Sequence, residues 1–102
     1  MITEVAHLTI DPARTAEFEA AVASAAKHFA AAEGCQSMRL ERVIEDPAQY
    51  RLVVGWDSVE AHMVTFRESP GFTRWRELAA PFFVAPPVVE HWELAGDHYS
   101  SE

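Results

Sequence analysis

Apolar residues recur along the first third of the chain in two different periods. Residues 2–10 are rich in β-branched side chains, which predicts a first strand. Asp11-Pro12 then marks a helix start, because Asp caps free backbone amides and Pro suits the first helical turn. Four apolar residues follow at helical spacing: Phe18, Val22, Ala25 and Phe29. This stripe predicts one helix over residues 12–33, which Gly34 ends in a left-handed conformation.

The middle of the chain predicts an antiparallel hairpin over residues 35–56. Side chains alternate over residues 35–45, and Glu45-Asp46-Pro47 has the composition of a turn. Residues 49–56 then form the returning strand. This strand is apolar on both of its faces, with Leu52 and Val54 on one and Val53 and Gly55 on the other.

Two short helices and a last strand complete the pattern. Asp57 and Glu60 have capping-box spacing and start a helix that ends at Glu68, with Val59, Met63 and Phe66 as its apolar stripe. Ser69-Pro70 starts the second helix, and Pro81 ends it. The last strand runs from Val88 to Leu94, because Pro86-Pro87 cannot lie in a central strand.

The predicted order of elements is β-α-β-β-α-α-β, which is the split βαβ, ferredoxin-like pattern of the α+β class. It places a four-stranded antiparallel sheet under helices that cover one face. We predict a single domain over residues 1–96 and a polar tail over residues 97–102. Because the third strand is apolar on both faces, something must cover the second face of the sheet. A second copy of the chain is the economical choice, so we predict a homodimer.

Charge and cysteine content narrow the class of protein. The chain has 102 residues and a net charge of −8, which disfavours nucleic acid and anionic membranes as partners, since both are bound through basic patches. Cys35 is the single cysteine, which suits a reducing compartment. The first residues read as a strand without a basic leader, and no apolar run has the length of a membrane span. We therefore expect a cytoplasmic protein.

Three segments resemble the antibiotic biosynthesis monooxygenase family. They are W-D-S-V-E-A-H at residues 56–62, F-R-E-S-P-G-F at residues 66–72 and V-V-E-H-W-E at residues 88–93. The resemblance covers roughly residues 1–95. It implies a dimeric α/β barrel, in which two ferredoxin-like sheets face each other. The same barrel hosts cofactor-free quinone-forming oxygenases, haem-degrading oxygenases and isomerases, so the fold alone does not fix the reaction.

The haem-degrading branch of that family does not match this chain. It uses an Asn on the first strand, a Trp on the helix after the third strand and a proximal His on the next helix. The matching positions hold His7, Phe66 (or Thr65) and Arg76. A guanidinium stays protonated and cannot coordinate iron. Haem degradation is therefore disfavoured.

In the cofactor-free oxygenases that the resemblance points to, a phenolic or anthrone-like substrate loses a proton and its anion gives an electron to dioxygen. Such a site needs a base, a dry aromatic pocket and a donor to the anion. His62 and His7 are the candidate bases; the alternatives are a helix-surface His for His62 and a hydrogen-bonded core His for His7. We assign substrate binding to Trp56, Phe66, Phe72, Trp75, Arg76 and His91. The alternatives are core packing for the rings, a Glu partner for Arg76 and an interface position for His91.

These residues predict a cofactor-independent monooxygenase acting on an aromatic phenol, quinol or anthrone. We expect no cofactor and no metal site, because the five His fall on separate elements without metal-binding spacing. The partners would be a small aromatic molecule, dioxygen and a second copy of the chain. A non-catalytic or stress-related barrel that binds an apolar metabolite, and an isomerase on the same barrel, remain as alternatives.

Overall fold

Strands and helices follow one another in the predicted order. The structure, a computed structural model, describes residues 1–101. Its strands are β1 (Ile2–Thr9), β2 (Cys35–Arg42), β3 (Gln49–Trp56) and β4 (Val88–Trp92), and its α-helices are α1 (Thr15–Ala30) and α2 (Pro70–Ala79). A π-helical segment, Ala61–Phe66, precedes α2, and 3₁₀ turns cover Pro12–Arg14 and Ala80–Phe82. No helix among these residues is long and apolar enough to cross a membrane.

The four strands form one antiparallel sheet in the order β2-β3-β1-β4, and helices cover one of its faces. This is the predicted ferredoxin-like α+β fold. The predicted stripe of α1, Phe18 to Phe29, is buried against the sheet. On the sheet side the core consists of the even-numbered residues of β1 and β3, among them Leu8, Leu52 and Trp56.

The first helix is shorter than predicted. Asp11 is an N-cap, since its Oδ1 accepts a hydrogen bond from the Ala13 amide at 3.0 Å. The element that it caps is a 3₁₀ turn and not the α-helix. The α-helix begins only at Thr15 and ends at Ala30. Gly34 has a φ of +83°, as expected for a left-handed stop, and an added Cβ would lie 2.9 Å from that of Ala61. Glycine therefore lets this loop approach the π-helical segment.

The helix after β3 differs most from the prediction. Ser58, not Asp57, caps it: the Ser58 Oγ accepts from the Ala61 amide at 3.1 Å, while Asp57 accepts from Gln36. The Arg67 amide donates to the carbonyl of His62, five residues back. This wider winding changes which side chains face the sheet.

The expected stripe of this helix is therefore wrong in two of its three members. His62 and Phe66 are buried, whereas Val59 and Met63 are 44% and 38% exposed. The surface position considered for His62 is wrong for the same reason.

The second face of the sheet carries no helix. It presents odd-numbered residues of β1 and β3, including Val5 and Val53, which are buried by their neighbours on the sheet. At its β4 edge Val88 and Trp92 are 58% and 55% exposed. β4 ends at Trp92, two residues before the predicted end.

Candidate functional site

A cavity of about 330 Å³ lies between the helix-covered face of the sheet and the helical layer. Its walls come from β1, the end of α1, β3, the π-helical segment, α2 and β4. A volume of this size falls within the range of small-molecule sites in proteins.

Most of the residues expected to bind substrate line this one cavity. Those are Phe66, Phe72, Trp75, Arg76 and His91, and the candidate base His62 lies beside them. Trp56 is fully buried behind the wall, where its ring stacks on that of His62 with 5.3 Å between centroids and 18° between planes. Trp56 therefore supports the site without lining it.

His7 is not in the cavity, so its expected placement is wrong. Even-numbered residues of β1 face the helices, and His7 points to the opposite face of the sheet. There its Nε2 contacts the Glu90 Oε1 at 2.9 Å, and about half of its side chain is exposed. His7 faces away from the cavity because successive residues of a strand point to opposite faces of the sheet.

His62 joins a buried carboxyl group to a second histidine at the cavity wall. Glu4, on β1, accepts a hydrogen bond from Trp56 Nε1 at 2.9 Å, and His62 Nε2 lies 3.3 Å from the same oxygen. His62 Nδ1 is 2.9 Å from His91 Nε2. Register explains the grouping, since Glu4 and His91 are direct partners across the β1–β4 pair. Glu4, His62 and His91 thus form one connected polar chain, here named the Glu4–His62–His91 chain.

Burial shifts the pKa of Glu4 and the pKa of His62 in opposite directions. The loss of hydration raises the pKa of Glu4 to about 7, although the Trp56 hydrogen bond and the nearby Arg67 charge act in the opposite direction. The same desolvation, aided by His91 and Arg67, lowers the pKa of His62 to about 4. At neutral pH His62 is therefore uncharged and Glu4 is close to half-protonated. Their 3.3 Å contact therefore joins a neutral imidazole to a partly protonated carboxyl group and is not a full ion pair.

The hydrogen-bond pattern assigns the protons in the ionised state of Glu4. A carboxylate only accepts, so Trp56 Nε1 donates to it, and the proton of neutral His62 is assigned to Nε2, the nitrogen that lies 3.3 Å from the carboxylate. Neutral His62 then has Nδ1 as its acceptor, and His91 donates to it through Nε2. His91, which lines the cavity, keeps Nδ1 as its remaining acceptor. The chain thus connects an acceptor at the cavity wall to a buried carboxylate.

Sequence reasoning missed two residues of this site, Glu4 and Arg67. Glu4 shares the strand face of Ala6, Leu8 and Ile10, and a charged residue on an otherwise apolar strand face is a signal for a buried functional group. Arg67 follows the π-helical segment and lines the cavity. Nothing in the sequence signals its position, because it depends on the unusual winding of that segment.

Among residues 1–101, no group of three or more His, Cys, Asp or Glu side chains is arranged to hold a metal ion.

Comparison with known proteins agrees with this architecture. The family model described as antibiotic biosynthesis monooxygenase matches residues 1–78. An uncharacterized Bacillus subtilis protein, YczJ, is 32% identical over 93 residues, which cover 91% of this chain and 98% of that protein.

Solved structures give the same result. A candidate antibiotic biosynthesis monooxygenase from Bordetella bronchiseptica superposes with a TM-score of 0.90 at 45% identity, covering 92% of this chain and 96% of that one. A point mutant of SnoaB from Streptomyces nogalater, a cofactor-independent oxygenase, superposes with a TM-score of 0.80 at 22% identity over 94% of each chain. The likeness to SnoaB is one of fold.

Proposed function

The chain belongs to the antibiotic biosynthesis monooxygenase family, and from that membership we propose that it is a cofactor-independent monooxygenase acting on an aromatic phenol, quinol or anthrone. One observation carries the proposal: a carboxyl group with a pKa of about 7 and two imidazoles form one polar chain in the wall of an aromatic cavity. A proton acceptor works best when its pKa is near the working pH. The likeness to SnoaB, whose name describes a cofactor-independent oxygenase, supports the same reaction class.

The cavity suits a flat apolar molecule. Phe29, Phe66 and Trp75 form a packed cluster in its wall, with ring centroids 4.8 Å apart for Phe29–Phe66 and 5.3 Å for Phe29–Trp75. Rings held by such packing keep a fixed shape, so a planar substrate can stack on them with little loss of side-chain entropy.

The substrate proton moves along the Glu4–His62–His91 chain in this proposal. His91 Nδ1 accepts it from the substrate, His91 passes its own Nε2 proton to His62, and His62 passes its Nε2 proton to Glu4. His62, with its lowered pKa and two occupied nitrogens, transfers the proton and does not keep it. Glu4 becomes the neutral acid, which is the form that its buried surroundings favour.

The resulting substrate anion supplies the electrons. For an anthrone methylene, the carbanion gives one electron to dioxygen, and the two radicals combine to form a carbon–oxygen bond and a peroxide. The proton held by Glu4 returns to the outer peroxide oxygen, and loss of the second methylene proton with cleavage of the O–O bond then gives the carbonyl and water. One oxygen atom stays in the quinone product, and the other leaves as water with the two methylene hydrogens. Dioxygen is the oxidant, and the substrate supplies all four electrons.

Oxygen uptake tests the proposal directly. Purified protein treated with a chelator is given a panel of anthrones, hydroquinones and catechols in an oxygen electrode. We expect catalytic uptake that falls at least about 100-fold in His62→Ala, because positioned acid–base groups contribute about 10²–10⁴ in rate. His98→Ala is the matched control, since His98 is exposed in the tail. Undiminished uptake in folded His62→Ala would exclude the proton path.

The same assay separates the other two functions. Absence of uptake across the panel, from folded protein that still binds these molecules, would favour a binding barrel. Conversion of a substrate without dioxygen would favour an isomerase.

We also propose that two chains form a homodimer through the uncovered face of the sheet. The family resemblance implies this arrangement, and the exposed Val88 and Trp92 at the β4 edge support it. Burial of such side chains away from water stabilises an interface. Sedimentation velocity distinguishes the dimer from the protomer.

A further inference from the structure

The arginines of this acidic chain fall into two groups: those that form an ion pair and those that line the cavity without one. Lys27 and seven arginines face sixteen carboxylates. Five of the arginines form ion pairs with glutamates: Arg14 with Glu17, Arg39 and Arg51 with Glu41, Arg42 with Glu19, and Arg74 with Glu77. Within residues 1–101, Arg67 and Arg76 form no ion pair, and these are the two arginines that line the cavity.

The contacts of these two side chains leave their donors available. The Arg67 guanidinium lies over the Phe72 ring at 5.4 Å, and its Nη1 lies 4.0 Å from the Met63 sulfur. Neither partner is an anion. Arg76, in the last turn of α2, makes no side-chain hydrogen bond to any residue that the structure describes. With sixteen carboxylates in the chain, the cavity walls thus hold two guanidiniums that no carboxylate within residues 1–101 neutralises.

Glu4 does not neutralise these two arginines. It lines the same cavity, but its carboxyl group accepts a hydrogen bond from Trp56 and lies 3.3 Å from His62 Nε2. Arg67 is near enough to affect the charge of Glu4, yet no direct contact forms between them. Arg67 and Arg76 thus both contribute to the cavity wall without an ion-pair partner among residues 1–101, and both side chains are also exposed to solvent.

We propose that the substrate is an aromatic acid, whose carboxylate binds Arg67 and Arg76 while its rings stack on the aromatic wall. A guanidinium presents planar paired donors that match the two oxygens of a carboxylate, so two guanidiniums at one cavity wall favour a carboxylate over a neutral group. This inference rests on the proposed function only for the identity of the cavity as the substrate site. It assigns the anionic group to the two arginines, and the acidic C–H or O–H to the Glu4–His62–His91 chain.

The test measures binding without turnover, so that it does not depend on oxygenase activity. Anthraquinone-2-carboxylate and anthraquinone-2-carboxamide are titrated into the full chain by calorimetry. The two probes share their rings and differ in charge. We expect the carboxylate to bind at least about tenfold more tightly, since a charge-assisted hydrogen bond to a guanidinium contributes more than the corresponding neutral one. The preference should fall at least about fivefold in Arg67→Gln and in Arg76→Gln, and disappear in the double variant.

Arg74→Gln is the matched control. Arg74 lies on the same helix as Arg76 but pairs with Glu77 and is absent from the cavity wall. Its variant should keep the preference unchanged. Circular dichroism spectra and unfolding midpoints establish that each variant is folded.

Three results would overturn the inference. Equal affinity for the two probes would reject an acidic substrate, while oxygen uptake with neutral anthrones would leave the proposed function intact. A preference that persists in the folded double variant would reject the arginine assignment. Failure of both probes to bind, together with absence of oxygen uptake, would reject the inference and the proposed function at once.

Discussion

Replacing Glu4 with Gln should remove the part of the pH dependence of the unfolding free energy that comes from this carboxyl group. The Glu4 side chain is buried, and its pKa is raised from 4.5 to about 7. Between these two values the folded protein binds more protons at this position than the unfolded chain. Stability therefore falls as the pH rises through this range. Glutamine carries no charge and still accepts a hydrogen bond from Trp56 through its amide oxygen, so the variant lacks this loss.

The size of the effect follows from the shift. A shift of about 2.5 pH units corresponds to about 3 kcal/mol of unfolding free energy, at about 1.4 kcal/mol per unit. His62 acts in the opposite direction. Its pKa is lowered from 6.5 to about 4, so its contribution to stability is present above pH 6.5 and is lost as the pH falls through 4. In the wild-type protein the two effects nearly cancel, and stability should change little between pH 4.5 and 7 on their account.

Urea unfolding measures this change, at one fixed protein concentration because unfolding of the proposed dimer would depend on concentration. The free energy of unfolding is taken at about pH 5, 6, 7 and 8 for wild type and for Glu4→Gln. We expect the difference, variant minus wild type, to rise by about 3 kcal/mol across the full window, mostly between about pH 5 and 7. Subtracting the unfolding free energy of wild type from that of the variant removes the contribution of groups that titrate alike in both proteins.

Two outcomes would contradict the argument. A difference that stays flat within about 0.5 kcal/mol would mean that the carboxyl group keeps its ordinary pKa. A difference that falls with pH would mean that Trp56 and His62 stabilise the carboxylate by more than burial destabilises it. In either case Glu4 would not serve as the final proton acceptor near neutral pH.

Three further variants test the packing and the interface. Gly34→Ala should lower stability by about 1–3 kcal/mol in urea unfolding, because alanine is strained at a φ of +83° and its Cβ would crowd Ala61; stability equal to wild type would count against the close approach. Phe29→Ala should cost about 3–5 kcal/mol, since the buried ring contacts three others, and a loss below about 1 kcal/mol would contradict that packing. Trp92→Glu should convert the proposed dimer to protomers in sedimentation velocity. Val64→Glu should remain dimeric, because Val64 is also apolar and exposed but lies in the π-helical segment. Persistence of the dimer in Trp92→Glu would refute the interface.

The arrangement of strands and helices was predictable because it depends on signals that act locally. The stripe from Phe18 to Phe29 and the turn at Pro47 each determine one element, and the resulting order allows few topologies. The aromatic wall was predictable for the same reason, since Phe66, Phe72 and Trp75 lie on short helical elements that cover the sheet.

The polar part of the site was only partly predictable, because it depends on strand register and helix winding. His7 was placed on the wrong face, while Glu4, three residues earlier and therefore on the opposite face, was overlooked. His62 was found, but its burial results from a π-helical winding that composition does not reveal. Its contact with His91 joins residues 29 positions apart, a separation that only the closed sheet brings together.

The origin of Glu4 on the first strand and His91 on the last has a consequence for how the protein is made. β1 can pair with β4 only after the residues up to Trp92 have left the ribosome, because β4 spans Val88–Trp92. Contacts between distant parts of a chain form late, since their loop-closure entropy must be overcome first. A nascent chain can therefore assemble the aromatic layer before it has a proton acceptor connected to the cavity. Under the proposed function, proton transfer through His91 could begin only once the last strand is in place.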